Sequence, residues 1–372
     1  MASPKLEVLE LKGDPFEAGR QYGEARGKEL KHCWEIMCYG LGHVLGVSSR
    51  SIIDAAQKML PAAKTVCSQG VLGVQGRAKG SGLSFEEAFA LACYLELTLY
   101  YPWLAGKQPV PLQAPPAPPP TPSTGCTSFA AAGGMTADHG TLIGQNIDWF
   151  AGSQVDLCRV ILPDGSRQLR LSLMGNTYYY LNSHGLANCS NATLCPAGQA
   201  GPSIPLSLYL EQAMSQKSLS AALGSLCQNA RGIGYYQLAD GQGQLAGIES
   251  DFTRFAVRLP ENGFMTHSNH YLTESLQPGD WGYSVFPDSY LRNHRMAELL
   301  SENRGKLNLE LAKEALRDHQ GHPSSICRHQ NTDLPPEFRS ESVASYISQP
   351  AEGLMHICLG PPCENQYHTY KV

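Results

Sequence analysis

The sequence predicts an α+β fold. Helix-start signals crowd the first part of the chain, a proline run interrupts it near residue 109, and short strand-like runs dominate afterwards. Helical patterns sit among those runs as blocks rather than in regular alternation, which argues against a parallel α/β sheet. At 372 residues the chain is long enough for one large domain or two smaller ones. Its 42% hydrophobic and 16% charged residues, with 37 glycines and 25 prolines, describe a folded protein rich in turns.

Asp14 followed by Pro15 and Glu17 is a cap, a first-turn proline and a reciprocal acid, opening a helix that runs past Trp34. A second helix spans about Ser51 to Cys67, with Pro61 as a kink. Ser84-Phe85-Glu86-Glu87 repeats the capping device and starts a helix that stops before Pro102. Eight of the fourteen positions from Pro109 to Pro122 are proline, so residues 109–123 can neither pair in a sheet nor sustain a helix and form an extended connector. Strands are expected at Thr127–Ala132, Gly140–Trp149, Tyr235–Leu238, Gln244–Glu249, Phe255–Leu259, Met265–Ser268, Val343–Ile347 and Leu354–Leu359. A hairpin is expected about Pro163-Asp164-Gly165, and helices at Leu206–Gln228, Ser289–Leu300 and Leu309–His319.

Charge excludes some functions. Twenty-eight Lys and Arg against 33 Asp and Glu leave −5 with no basic concentration, so neither nucleic acid nor an anionic membrane is an expected partner. The opening residues lack an apolar core behind a basic start, so a cytoplasmic location is expected. The greasiest stretch, Phe89 to Gly106, carries Glu96 and Pro102 and falls short of the ~20 apolar residues of a membrane span. The 12 cysteines are scattered through a large chain and read as reduced packing residues.

The connector delivers the chain to Gly125-Cys126, where a pliable segment becomes a strand. A cysteine after glycine can attack the preceding carbonyl, because glycine lets that peptide adopt conformations other residues resist. Hydrolysis of the resulting thioester would free an α-amine whose ordinary pKa of about 7.7–8.0 suits a general base. One residue would then supply nucleophile and base. On spacing alone, Cys126 also reads as a small buried hydrophobe, Asp148 as a turn carboxylate, Asn269 as a polar turn and Arg328 as a surface ion-pair partner.

Five ordered segments resemble a known family: Gly125-Cys126-Thr127-Ser128, Gly144-Gln145-Asn146-Ile147-Asp148-Trp149, Asn182-Ser183-His184-Gly185-Leu186-Ala187-Asn188, Thr266-His267-Ser268-Asn269-His270 and Ser325-Ile326-Cys327-Arg328. In order and rough spacing they are similar to the acyl-coenzyme A:6-aminopenicillanic acid acyltransferase family of cysteine N-terminal-nucleophile hydrolases, a group that includes insect β-alanyl-dopamine hydrolase. The resemblance implies a four-layer αββα sandwich with an N-terminal helical segment. It also implies cleavage between Gly125 and Cys126, giving a helical segment 1–125 and a catalytic body 126–372 that stay associated as one structural domain. By the same resemblance Asp148 helps hold the new amine, Asn269 stabilises the oxyanion, Arg328 stands near the reacting centre, and Asn188 or Asn191 supplies a second polar group.

The implied activity is hydrolysis of a small N-acyl amine or N-acyl amino acid through an acyl-cysteine intermediate, without a cofactor. Acyl transfer from a thioester or amide to an amine is the alternative fate of that intermediate. Expected partners are the acyl amide or acyl thioester substrate and the two cleavage fragments as a heterodimer, with a higher homo-oligomer left open. A tight turn at Asp138-His139-Gly140 would leave Asp148 opposite position 130, and a bulge at Gly133-Gly134 is expected to narrow that gap. Other readings are a Cys-His protease with His184, His267 or His270 as base, and a silent binding protein on the same fold. His267-x-x-His270 with Cys327-x-His329 offers metal-binding atoms, but without paired C-x-x-C units no metal is expected.

Overall fold

The computed structural model describes residues 4–104, 125–196, 203–228 and 233–372. The proline-rich connector predicted over 109–123 lies outside the described residues. The N-terminal segment holds β1 (Val8–Lys12), α1 (Pro15–Ala25), α2 (Gly27–Leu45), α3 (Ser49–Gln57), α4 (Leu60–Val66), α5 (Ser68–Ser81), α6 (Phe85–Ala92) and α7 (Tyr94–Leu104). Asp14 accepts from the Glu17 amide, and Ser84 and Glu87 form a reciprocal capping box, as their spacing predicts.

Several boundaries differ from expectation. The helix opened at Ser84, expected to stop before Pro102, divides at Cys93, and its continuation α7 runs through Pro102 to Leu104. The helix predicted to run past Trp34 breaks at Arg26, whose φ of −126° and ψ of 24° end α1 and begin α2. The helix over Ser51–Cys67 is two, with Pro61 in the first turn of α4, where its missing N–H would have no partner anyway. α5 was not predicted, because its glycines weaken the apolar stripe that marks an amphipathic helix. Those glycines let α1 and α5 touch through their backbones: a Cβ on Gly76 would lie 1.9 Å from the Phe16 carbonyl oxygen, and one on Gly80 2.1 Å from that of Arg20.

After the connector come β2 (Cys126–Ala132), β3 (Thr141–Phe150), β4 (Val155–Ile161), β5 (Arg167–Leu173), β6 (Asn176–Asn182) and β7 (Leu186–Leu194). There follow α8 (Leu206–Met214), α9 (Leu219–Leu226), β8 (Ile233–Asp240), β9 (Leu245–Ser250), β10 (Phe255–Arg258) and β11 (Phe264–His267). The chain ends with α10 (Gly282–Val285), α11 (Ser289–Glu302), α12 (Leu309–Leu316), β12 (Ser340–Gln349), β13 (Leu354–Leu359) and β14 (His368–Lys371). The run predicted as one helix over Leu206–Gln228 is two, because Ser218 caps α9 afresh.

The strands form an eight-stranded sheet, β1-β4-β5-β6-β7-β8-β9-β10, and a six-stranded sheet, β11-β2-β3-β12-β13-β14. All pairs are antiparallel except β1 with β4. β1 thus places a strand of the N-terminal segment at the edge of the body's large sheet. The facing surfaces are tied by Gln145 and Ser190, which exchange bonds of 2.8 and 3.0 Å, and by the Tyr346 hydroxyl on the Asn188 carbonyl at 2.9 Å. α8 and α9 lie on the large sheet, and α11 and α12 on the small one. The architecture is the four-layer αββα sandwich. Its main core fills the space between the sheets and under the N-terminal helices; a second, with Phe129, Leu142, Met296, Leu300 and Leu316, sits between the small sheet and α11 and α12.

Candidate active site

Strand alternation divides β2 between the two cores. Ala130 and Ala132 face the main core with Cys126 and Ser128, while Phe129 and Ala131 face the helical layer with Thr127. β2 pairs with β3 so that Cys126 opposes Ile147 and Ala132 opposes Thr141. Asp148 is therefore the next residue along from the partner of Cys126. The expected strand bulge at Gly133-Gly134 is absent: Gly133–Met135 instead form a 3-10 turn, with Gly133 at φ 58°, which lengthens the β2–β3 connection and sets the register.

The Cys126 backbone nitrogen donates to Asn269 Oδ1 at 2.9 Å. Arg292 Nη2 donates to the same oxygen at 2.8 Å, while Nη1 reaches the Cys126 carbonyl at 2.8 Å and Thr127 Oγ1 at 2.9 Å. Arg292 Nε holds Asp288 Oδ2 at 2.6 Å, and the same oxygen takes Arg328 Nη2. Arg328 Nε then lies 3.4 Å from Asp148 Oδ2, and Ser342 Oγ donates to Asp148 Oδ1 at 2.7 Å. Four sequence-predicted residues, Cys126, Asp148, Asn269 and Arg328, thus belong to one buried network. Asp288 and Arg292 complete it and were missed, since an i,i+4 Asp–Arg pair at a helix start reads as a surface pair. Only tertiary contacts bury it.

The network sets the protonation states. Burial, reinforced by the Asp148 charge, pushes the Cys126 thiol up to about 12. Burial likewise raises Asp148 to about 6, against the pull of Arg328 and Arg292. Asp288 is also desolvated, but Arg292 and Arg328 overcome that and hold it at about 2. The thiol of the continuous chain is accordingly neutral, and activating it requires a base delivered beside it.

Gly125 stands where no side chain fits: a Cβ there would lie 2.6 Å from Arg292 Nη2 and 2.9 Å from Asn269 Oδ1. Close approach, rather than a left-handed backbone, is what this position demands. The two candidate asparagines separate. Asn188 spends both ends on the β6 backbone, accepting from Tyr180 N at 2.8 Å and donating to the Tyr178 carbonyl at 2.9 Å, where the β6–β7 ladder is sparse. Asn191 accepts from Ser128 Oγ at 2.7 Å, and its buried Nδ2 has no partner among the described residues.

The histidines proposed as bases do not serve Cys126. Both ring nitrogens of His267 face acceptors, Glu249 Oε1 and the Ser268 carbonyl, each at 2.8 Å. Glu249 also accepts from the Leu272 and Thr273 amides, bracing the turn that carries Asn269. His270 bonds Ser289 Oγ at 2.7 Å, and burial with the nearby His267 drives it down to about 3. His184 lines a depression with Gly241 and Pro350, at the Ala132 end of β2, roughly 20 Å along the strand from Cys126 at ~3.3 Å per residue. The four residues whose spacing offers metal-binding atoms also divide, because Cys327 and His329 gather with His319 and Cys363 rather than with His267 and His270.

The profile of the acyl-coenzyme A:6-aminopenicillanic acid acyl-transferase family matches residues 135–364, which takes in every network residue beyond β2. The chain belongs to this family. As a member of the acyl-transferase family it is an enzyme, and the matched segment begins after Cys126 itself. No curated protein sequence matches the chain. Among solved structures, a variant of conjugated bile acid hydrolase from Clostridium perfringens is 11% identical with a TM-score of 0.45, covering 66% of this chain and 97% of that one. Penicillin V acylase from Agrobacterium tumefaciens is 12% identical with a TM-score of 0.41, covering 62% and 82%. Among the described residues no helix is long and apolar enough to cross a membrane.

Proposed function

We propose that this acyl-transferase family member cuts its own Gly125–Cys126 bond and then hydrolyses a small N-acyl amine or N-acyl amino acid. The observation that carries this reading is the grip of Asn269 Oδ1 on the Cys126 nitrogen at 2.9 Å, beside a thiol for which neither His267 nor His270, each engaged elsewhere, serves as base. Cys126 Sγ attacks the Gly125 carbonyl, the peptide nitrogen leaves as an amine, and water releases the Gly125 carboxylate from the thioester. The amine stays on Asn269 and takes the thiol proton in each later turnover.

Attack on the substrate amide forms the acyl-cysteine and expels the amine, which takes the proton back. Asn191 Nδ2, buried and without a partner among the described residues, is the donor we assign to the developing oxyanion together with Asn269 Nδ2, which exchanges the Ala192 carbonyl for the substrate oxygen. Water then completes hydrolysis. An amine acceptor would instead complete acyl transfer, the reaction for which the matched family is named.

Intact-mass measurement and N-terminal sequencing of freshly purified protein test the first step. Two fragments, one beginning at Cys126, are expected; a single uncut chain that hydrolyses N-acyl amines at full rate would overturn the reading. Assaying a panel of N-acyl amines with and without acyl-thioester donors separates hydrolysis from transfer.

A further inference from the structure

We propose that His319, Cys327, His329 and Cys363 form a structural zinc site, independent of the nucleophile and of whether the chain is cut. Their ligand atoms all lie within 4.8 Å of one another. The Sγ atoms of Cys327 and Cys363 are 3.6 Å apart, and His329 Nε2 lies 3.7 Å from the first and 3.3 Å from the second. The Nε2 atoms of His319 and His329 are 3.1 Å apart. A tetrahedral zinc ion with Zn–S of about 2.3 Å and Zn–N of about 2.0–2.1 Å needs edges of about 3.8 Å between sulfurs, about 3.6 Å between sulfur and nitrogen, and about 3.3 Å between nitrogens. These four edges meet those values within a few tenths of an ångström. His319, on the exposed side and with its distances to the two sulfurs within 4.8 Å, would close the fourth corner by side-chain rotation.

The chemistry of the cluster points the same way. Two thiols and two imidazole nitrogens converge, and at most one of two facing Nε2 atoms can donate to the other; a cation between them satisfies both lone pairs. The Glu364 carboxylate lies 3.5 Å from His329 Nδ1, on the side of the ring away from the cluster, where histidines that bind zinc commonly have an outer carboxylate. A disulfide is the competing outcome for the two sulfurs, but 3.6 Å is far from the ~2.05 Å of an S–S bond. Four protein ligands with sulfur and nitrogen donors leave no open position, which is the pattern of a structural ion rather than a reacting one. Binding would release the two thiol protons.

The loop is already shaped for this. Cys327 N donates to the Asp318 carbonyl and His329 N to that of Pro323, both at 3.0 Å, and Asn146 Nδ2 holds the Ile326 carbonyl at 2.8 Å. Arg328 sits between two of the ligands and extends to Asp148 and Asp288 instead. An ion joining 319–329 to the turn at Cys363 would therefore clamp the segment that presents Arg328 to the active site.

Elemental analysis of the full chain, purified without chelator, is expected to give about one zinc per chain. Cobalt exchanged into the site should show thiolate-to-metal charge transfer and the intense visible bands of a tetrahedral ion. Cys363→Ser, on an exposed turn, should lose both signals, whereas Cys38→Ser should retain them. Glu364→Gln should weaken zinc affinity by roughly 10- to 100-fold. Wild-type protein that holds no zinc and takes up no cobalt, or that carries a Cys327–Cys363 disulfide when alkylated fresh, would overturn the site.

Discussion

Two regions gather cysteine with nitrogen ligands or bases in mind, and they lie on either side of Arg328. At β2, one thiol is buried among carboxylates and guanidinium groups, with its own backbone nitrogen held by Asn269. At the 319–329 loop, two thiols face two imidazoles, with a carboxylate only behind them. The difference teaches how a fold assigns a role to cysteine. A nucleophile needs a single sulfur beside a proton acceptor and an oxyanion donor; a ligand needs converging lone pairs and no charge already satisfying them.

Removing the first sulfur gives the largest expected effect. Cys126→Ala should leave the chain uncut by mass and without amide hydrolysis, while zinc content stays at the wild-type level. Loss of zinc in that variant would merge the two centres into one and break the comparison. Asn269→Ala comes next: removal of an oxyanion-type donor typically costs ~2.7–4 kcal/mol, so turnover of the processed enzyme should fall about 10²–10³-fold. Because Asn269 also holds the amine, the loss should appear in kcat at all pH values.

Gly125→Ala sharpens the contrast at lower amplitude. The new Cβ would lie 2.6 Å from Arg292 Nη2, displacing the guanidinium that steadies the Cys126 carbonyl. Misplacement on this scale can cost about 10²-fold, so fragment formation followed by gel or mass should slow by up to that factor. Protein that has completed cleavage should turn over substrate at the wild-type rate, because the altered residue then ends the other fragment. A mature enzyme equally impaired would mean that position 125 acts on catalysis rather than on processing.

Caps and strand alternation are local signals that made the α+β class legible, and the Gly-Cys junction singled out Cys126; the αββα sandwich and the other three members of the network, Asp148, Asn269 and Arg328, were legible only through the resemblance of five ordered segments to the acyltransferase family. What the sequence hid is instructive. β6 and β7 went unpredicted, their alternation interrupted by the Asn182–Gly185 turn, and α5 was masked by the glycines that let it touch α1. Arg292 is buried only because α11 packs on β2. Cys363 lies far along the chain from Cys327, so no short spacing announces their meeting.

The smallest effect is the one most able to separate local from global causes. Burial lifts Asp148 from the usual 3.8 to about 6, so at pH 7 it is mostly ionised and at pH 5 mostly neutral. If its charge holds the nascent amine, processing should fall roughly tenfold between those values, following a single protonation near 6. Stability moves the other way. A carboxyl whose folded pKa is raised contributes stability that is complete below its unfolded value and lost as pH rises through about 6, on the order of 2–3 kcal/mol in the limit. Asp288, held at about 2, stays ionised throughout and contributes no change in this window. Slower cleavage at pH 5 in a chain whose denaturant midpoint has not dropped would therefore locate the cause at Asp148, whereas a parallel loss of both would assign it to general acid unfolding.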